Sequence, residues 1–252
     1  KPPVTTNRHA CVTRPKDAST AFSALCSAGI SAGSATRAAY VHHGHVTDLL
    51  QAWHTLLTRH SASPRVDDVG AALLGRWAEP HRSYHDLSHL RGILSGVDAL
   101  AGFADDPDAV RLAAWYHDAV YAGQHDDEEN SALLAEDELA ALGLPPALVA
   151  EVGRLVRLTI THDPAADDRN GQVLSDADLA VLGLPAAEYR ANTAKVRSEY
   201  SHVSDTDFRM GRSRVIDALL AAPALFRTAE GRRLWEDTAR TNLKAELASL
   251  SG

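Results

Sequence analysis

Residues 107–120 read Pro-Asp-Ala-Val-Arg-Leu-Ala-Ala-Trp-Tyr-His-Asp-Ala-Val. Pro107 suits the first turn of a helix, where no intrahelical N–H is needed. Val110, Ala113, Ala114 and His117 then recur at three- and four-residue spacing, which is one face of a helix. The pattern predicts a helix from about Pro107 that Gly123 ends. Asp118 is embedded among Trp115, Tyr116, Ala119 and Val120. Burying that carboxylate is costly unless something pairs with it.

The same helical period extends in both directions. Leu49, Leu50, Trp53, Leu56 and Leu57 form one stripe, with Thr47 placed to cap it. Val66, Val69, Leu73 and Trp77 form a second, which Pro80 stops. A third helix is expected over about Tyr84–Leu100. Further helices are expected over Asp126–Leu142, Pro146–Thr161, a short one over Asp176–Leu182, and then Ala186–Tyr200, Asp205–Ala221 and Ala229–Leu250. Gly143 and Gly183, each followed by a proline two residues on, mark helix ends. No stretch has the alternation and turn chemistry of strands. The fold class is therefore all-α, a single bundle-like domain over residues 46–252. The four tryptophans, Trp53, Trp77, Trp115 and Trp235, fall on apolar stripes and read as core.

Residues 1–45 differ. They are poor in leucine and hold five basic residues against one acidic, so the net charge of −8 becomes about −12 for the remainder. This stretch reads as a disordered or non-native extension, with a native start near Val46. A cleaved targeting segment is the competing reading. Both cysteines, Cys11 and Cys26, lie in it. The cysteine-free body fits a reducing, cytoplasmic setting. Its acidity argues against an extended nucleic-acid surface, and no window is apolar enough for a membrane span.

Three polar pairs sit in apolar helical settings: His85 with His89, His117 with Asp118, and Asp176 with Asp178. On a helix His85 and His89 would share a face, about 5–6 Å apart at Cβ. Imidazole and carboxylate donors together suit one or two divalent ions such as Mn, Zn or Fe better than calcium. Such an ion activates water and neutralises phosphoryl oxygens.

Taken in order, Tyr84-His85-x-x-x-His89, Tyr116-His117-Asp118 and Asp176-Ala177-Asp178-Leu179 resemble the HD superfamily of metal-dependent phosphohydrolases. DEENSA (127–132), RSEY (197–200), Gly211-Arg212 and ARTNL (239–243) resemble a subgroup of unassigned substrate, and the likeness covers about residues 47–249. The resemblance implies an HD-domain helical bundle and a metal held by His89, His117, Asp118 and Asp178. It implies His85 as general acid, with His85 and His89 exchangeable in these two roles. The ion implied is Mn, Zn, Fe, Co, Ni or Mg, and the substrate a small phosphorylated metabolite or nucleotide. Asp176 would orient a ligand or water. His162 either approaches the substrate phosphate or a second metal, or serves a helix dipole. Glu128 and Glu129 either polarise water or form a solvated helix start. Among cations, Arg82 and Arg212 are the candidates to steady a phosphate, while Lys195, Arg197 and Arg240 suit surface pairs as well. A non-catalytic nucleotide- or metal-binding module, or a di-iron oxygenase, would use the same scaffold.

Overall fold

A computed structural model describes residues 43–250, with side chains from residue 48 onward. Residues 1–42, both cysteines and nearly all of the expected extension lie outside the described residues. Among the described residues there are ten α-helices and no strand. They are α1 (His43–Leu57), α2 (Val66–Trp77), α3 (Leu87–Leu100), α4 (Pro107–Tyr116), α5 (Asp127–Ala141), α6 (Pro146–Leu158), α7 (Arg169–Leu179), α8 (Ala186–Glu199), α9 (Asp205–Ala221) and α10 (Ala229–Leu250). Two 3-10 turns, Ala101–Phe103 and Ala180–Gly183, extend α3 and α7. No described helix is long and apolar enough to cross a membrane.

Several boundaries depart from the sequence reading. The described part of α1 already includes His43, ahead of the boundary expected near Val46, so Thr47 lies within the helix rather than at its N-cap position. α3 begins at Leu87 rather than Tyr84, because Asp86 caps it by accepting from the N–H groups of Ser88 (2.8 Å) and His89 (3.2 Å). α4 stops at Tyr116, before the His-Asp pair. α7 starts seven residues earlier than expected, where Asp168 caps it at Gly171.

The helices bury two apolar clusters. The larger joins α1 to α7 around Trp53, Trp77, Trp115, Leu90 and Leu112. The smaller joins the Ala180–Gly183 turn to α8, α9 and α10 around Phe226, Ile216 and Leu243. Trp235 of α10 packs against both and stays partly exposed, unlike the other three tryptophans. In the larger cluster the Trp53 indole donates to Val66 O at 2.7 Å and meets Trp115 edge-on at 5.2 Å.

Two glycines of α2 make the packing testable. A Cβ on Gly70 would lie 2.3 Å from the Trp53 ring, whereas one on Gly75 would meet nothing within 4 Å. Gly70→Ala should cost about 1–3 kcal/mol of unfolding free energy, the usual range for overpacking. Gly75→Ala should stabilise by up to about 1 kcal/mol. Urea denaturation of the two variants reads both; equal midpoints would contradict this packing.

Candidate metal centre

Three side chains converge at the open end of the larger cluster. His89 Nε2 lies 3.2 Å from His117 Nε2 and 3.2 Å from Asp178 Oδ1, and His117 Nε2 lies 3.8 Å from that oxygen. Donors sharing one ion with bonds of about 2.0–2.2 Å sit about 3–3.5 Å apart, so the trio has the spacing to hold a divalent cation. The three side chains are no more than 9% exposed. Asp118 Oδ2 stands beside them, 2.9 Å from His117 Nε2 and 3.7 Å from His89 Nε2.

The surroundings aim these donors. The Asp86 cap fixes the first turn of α3, which carries His89. His117 Nδ1 donates to Ala114 O at 3.0 Å, which leaves the lone pair of its neutral form at Nε2, facing the centre. The Trp77 indole packs on both rings, with centroids 6.1 Å from His89 and 5.5 Å from His117. Asp178 divides its oxygens: Oδ1 faces the two histidines, and Oδ2 accepts from His162 Nε2 at 2.7 Å. His162 reaches it from just beyond α6 because its backbone turns left-handed, with φ of 49°. That contact orients Asp178, a third possibility beside the two the sequence offered.

The electrostatics call for positive charge. Burial alone would lower the His117 pKa, yet Asp118 and Asp178 outweigh it and push it up to about 9. Burial would raise the Asp178 carboxyl, but hydrogen bonds from His162 and His89 hold it well below the usual range. The Asp118 carboxyl is likewise lowered, against its burial, by His117 and His85.

His85 stands off the α3 helix, so the shared helix face expected for His85 and His89 does not exist. Their rings still approach, at 5.7 Å between centroids, because the chain bends at Tyr84. His85 Nδ1 donates to Glu199 Oε1 at 2.7 Å, and its Nε2 points towards Asp118 Oδ2 at 3.9 Å. The other Glu199 oxygen accepts from the backbone N–H groups of Ser83 (3.1 Å), Tyr84 and His85 (3.2 Å). Burial opposes the charged His85, but Asp118 and Glu199 prevail and raise its pKa above the ordinary value. Glu199 in turn is lowered to about 2, against its burial, chiefly by the hydrogen bond from His85. Sequence reasoning quoted Glu199 inside RSEY without giving it a role.

Other expected site residues are occupied elsewhere. Asp176 is turned away from the centre. Residues two apart on a helix point about 200° apart, so Asp176 and Asp178 cannot both face one side of α7. Asp176 instead accepts from Arg227 N (2.6 Å), Thr228 N (2.8 Å) and Thr228 Oγ1 (2.7 Å), tying α7 to the segment that begins α10. Arg82 does not project into the centre. Its Nη1 donates to Asp118 O at 2.6 Å, its Nη2 to Ala119 O at 3.1 Å and its Nε to Glu79 at 3.1 Å. It holds the backbone that carries the His-Asp pair. Arg212 makes a two-pronged buried pair with Glu246, at 2.8 and 3.1 Å. Glu129 pairs with Arg157 through both oxygens at 2.8 Å and so braces α5 to α6. Glu128, half-buried, lies in the first turn of α5. Arg197 pairs with Asp205, Arg240 with Glu236, and Lys195 with Asp86. The DEENSA segment works through residues not singled out: Asp127 accepts from Ala122 N and Gln124 N, and Ser131 Oγ accepts from Val120 N. Both hold the loop that follows His117 and Asp118.

No protein-family model, curated protein or solved structure matches this chain. The described residues therefore establish an all-helical protein with a buried His-His-Asp group able to hold a metal ion.

Two outcomes follow. A histidine whose folded pKa is raised stabilises fully below its unfolded value near 6.5 and loses that contribution as pH rises through the folded value. The chelated protein should therefore lose stability between about pH 6.5 and the His117 value of about 9. Divalent-metal affinity should rise across the same interval, since the ion displaces that proton. Melting curves with and without chelator check both; metal affinity independent of pH would contradict the trio. Separately, Asp176→Ala should cost about 2–3 kcal/mol by orphaning two backbone N–H groups, while metal binding persists. Loss of metal with unchanged stability would reverse that assignment.

Proposed function

We propose that the chain is a metal-dependent phosphohydrolase of the HD type. It would cleave a phosphoester or phosphoanhydride of a small phosphorylated metabolite or nucleotide. One observation carries this reading: a buried trio fit for a divalent cation has, on one side, a protonatable histidine backed by a buried glutamate. Metal ligands alone would suit storage or structure. A proton donor beside them suits bond cleavage.

His89, His117 and Asp178 would hold the ion, with Asp118 as the fourth ligand or as a bridge between two. An ion bound there would supply water activation and charge neutralisation at phosphorus. The remaining work belongs to the chain's own side chains. Glu199 accepts the Nδ1 proton of His85 and leaves the other ring nitrogen facing the centre. With its pKa raised, His85 keeps a proton at Nε2, available to the departing oxygen. Once that proton has gone, the Glu199 contact keeps the ring in place as the Nδ1–H tautomer. Arg82 keeps Asp118 and Ala119 in register through their carbonyls.

The variants separate these roles. Asp118→Ala should lose both metal retention and turnover, because it removes a carboxylate from the centre. His85→Ala should keep metal content and lose about 10²–10⁴ in kcat on alkyl phosphoesters, with a smaller loss on p-nitrophenyl esters, whose leaving group needs no proton. Glu199→Gln should fall between wild type and His85→Ala. A metal-supplemented phosphate-release screen measures all three. Wild-type rates in Asp118→Ala would overturn the reading. Bound metal with no turnover across a broad panel would point instead to a non-catalytic module.

A further inference from the structure

A groove of about 370 Å³ opens directly on the metal trio, with His89 and Asp178 in its wall. That volume is within the range of small-molecule sites. One wall is the outward face of α3, where Gly92 lies exposed one turn beyond His89. A Cβ built on Gly92 meets nothing within 4 Å. Gly96, one turn further, is different: its Cβ would come within 3.0 Å of Ala177, so close helix packing requires that glycine. Nothing in the fold requires Gly92, which costs a helix interior about 1 kcal/mol relative to alanine. Its bareness widens the groove and does nothing else visible.

The groove's chemistry is specific in two ways. Its walls include the partly exposed indole of Trp235, a flat surface on which a ring can stack, with the Asn192 amide and the exposed Ser95 hydroxyl as polar partners. They include no arginine and no lysine. Lys195 stands at the rim, held by Asp86 (3.2 Å) and by Ser88 Oγ (2.7 Å). Arg82, Arg197, Arg212 and Arg240 are all committed to carboxylates or carbonyls. Phosphates beyond the reacting one would find no counter-charge along this groove.

The geometry points to a substrate whose non-reacting part is an uncharged polar ring system of nucleoside type, stacked in the α3–Trp235 groove, with a single phosphate at the metal centre. Nucleoside monophosphates fit this description; nucleoside di- and triphosphates do not. The single phosphate rests on the phosphohydrolase reading, whereas the ring site does not.

Calorimetric titration of the metal-loaded full chain tests it. The probes are adenosine, guanosine, cytidine and uridine, with their 5′-monophosphates and 5′-triphosphates. At least one nucleoside should bind, and its monophosphate should bind as tightly as the triphosphate or better. Gly92→Gln should weaken nucleoside binding tenfold or more, with metal content unchanged and melting temperature equal or higher. Gly92→Ala should be stabilised and weakened less. The inference is overturned if Gly92→Gln binds nucleosides like wild type. It is equally overturned if triphosphates bind tenfold tighter than monophosphates, or if no nucleoside or monophosphate binds. Gly92-dependent nucleoside binding without phosphate release from any substrate would keep the ring site and remove the phosphohydrolase reading.

Discussion

Two imidazole nitrogens and a carboxylate oxygen held 3.2–3.8 Å apart and shielded from water need positive charge between them. Without a proton or a cation their lone pairs repel at short range, and their burial leaves little solvent to screen them. The raised His117 pKa and the lowered Asp178 pKa express the same demand from opposite sides. The neighbouring structure keeps the donors in this arrangement. The Asp86 cap sets His89, the Ala114 carbonyl selects the His117 tautomer, and His162 takes the second oxygen of Asp178. Each support comes from a different element, so the centre is held from several directions at once.

The last turn of α7 explains how this centre is joined to the rest of the protein. Asp178 and Asp176 leave it in nearly opposite directions. One enters the trio; the other accepts from the backbone N–H groups of Arg227 and Thr228, just ahead of α10. The larger apolar cluster thereby meets the smaller one through two carboxylates on a single helical turn, with Trp235 packed across both. The groove beside the trio lies along this junction, bounded by α3 on one side and by α7, α8 and α10 on the other. Binding sites favour such seams because two bodies of packed side chains rarely close without a cleft.

Most helices were legible because the apolar stripes at Leu49–Leu57, Val66–Trp77 and Val110–Ala114 are long and regular, and packing follows period. The trio was legible for a related reason: histidine and aspartate in apolar runs carry a burial cost that only partners relieve. Helix ends were less so. The cap at Asp86 was readable from its type and position, and it was missed because the tyrosine-histidine spacing drew the boundary to Tyr84. Glu199 was beyond local reading. It meets His85 across 114 residues of chain, and an acidic residue near the end of a helix carries no sign of what it will face. Arg82 and Asp176 failed differently. Their proximity in sequence to His85 and Asp178 suggested shared work, but side-chain direction separates neighbours that sequence keeps together.

The charge pattern bears on what the centre can attract. An acidic chain with net charge −8 repels anions at a distance, yet salt screens that field within about 8 Å. The contacts that decide binding are therefore local, and here Arg82, Arg212 and Arg240 take no part, since their own carboxylates and carbonyls hold them. Near the groove, positive charge is available from an ion held by the trio, from His85 when it carries a proton, and from a rim lysine already paired with Asp86. So small a positive source matches an anion of low charge. On the proposed reading, the Trp235 indole and the apolar part of the walls would supply the remaining affinity by burial and stacking, and the shape left open at Gly92 would discriminate among substrates.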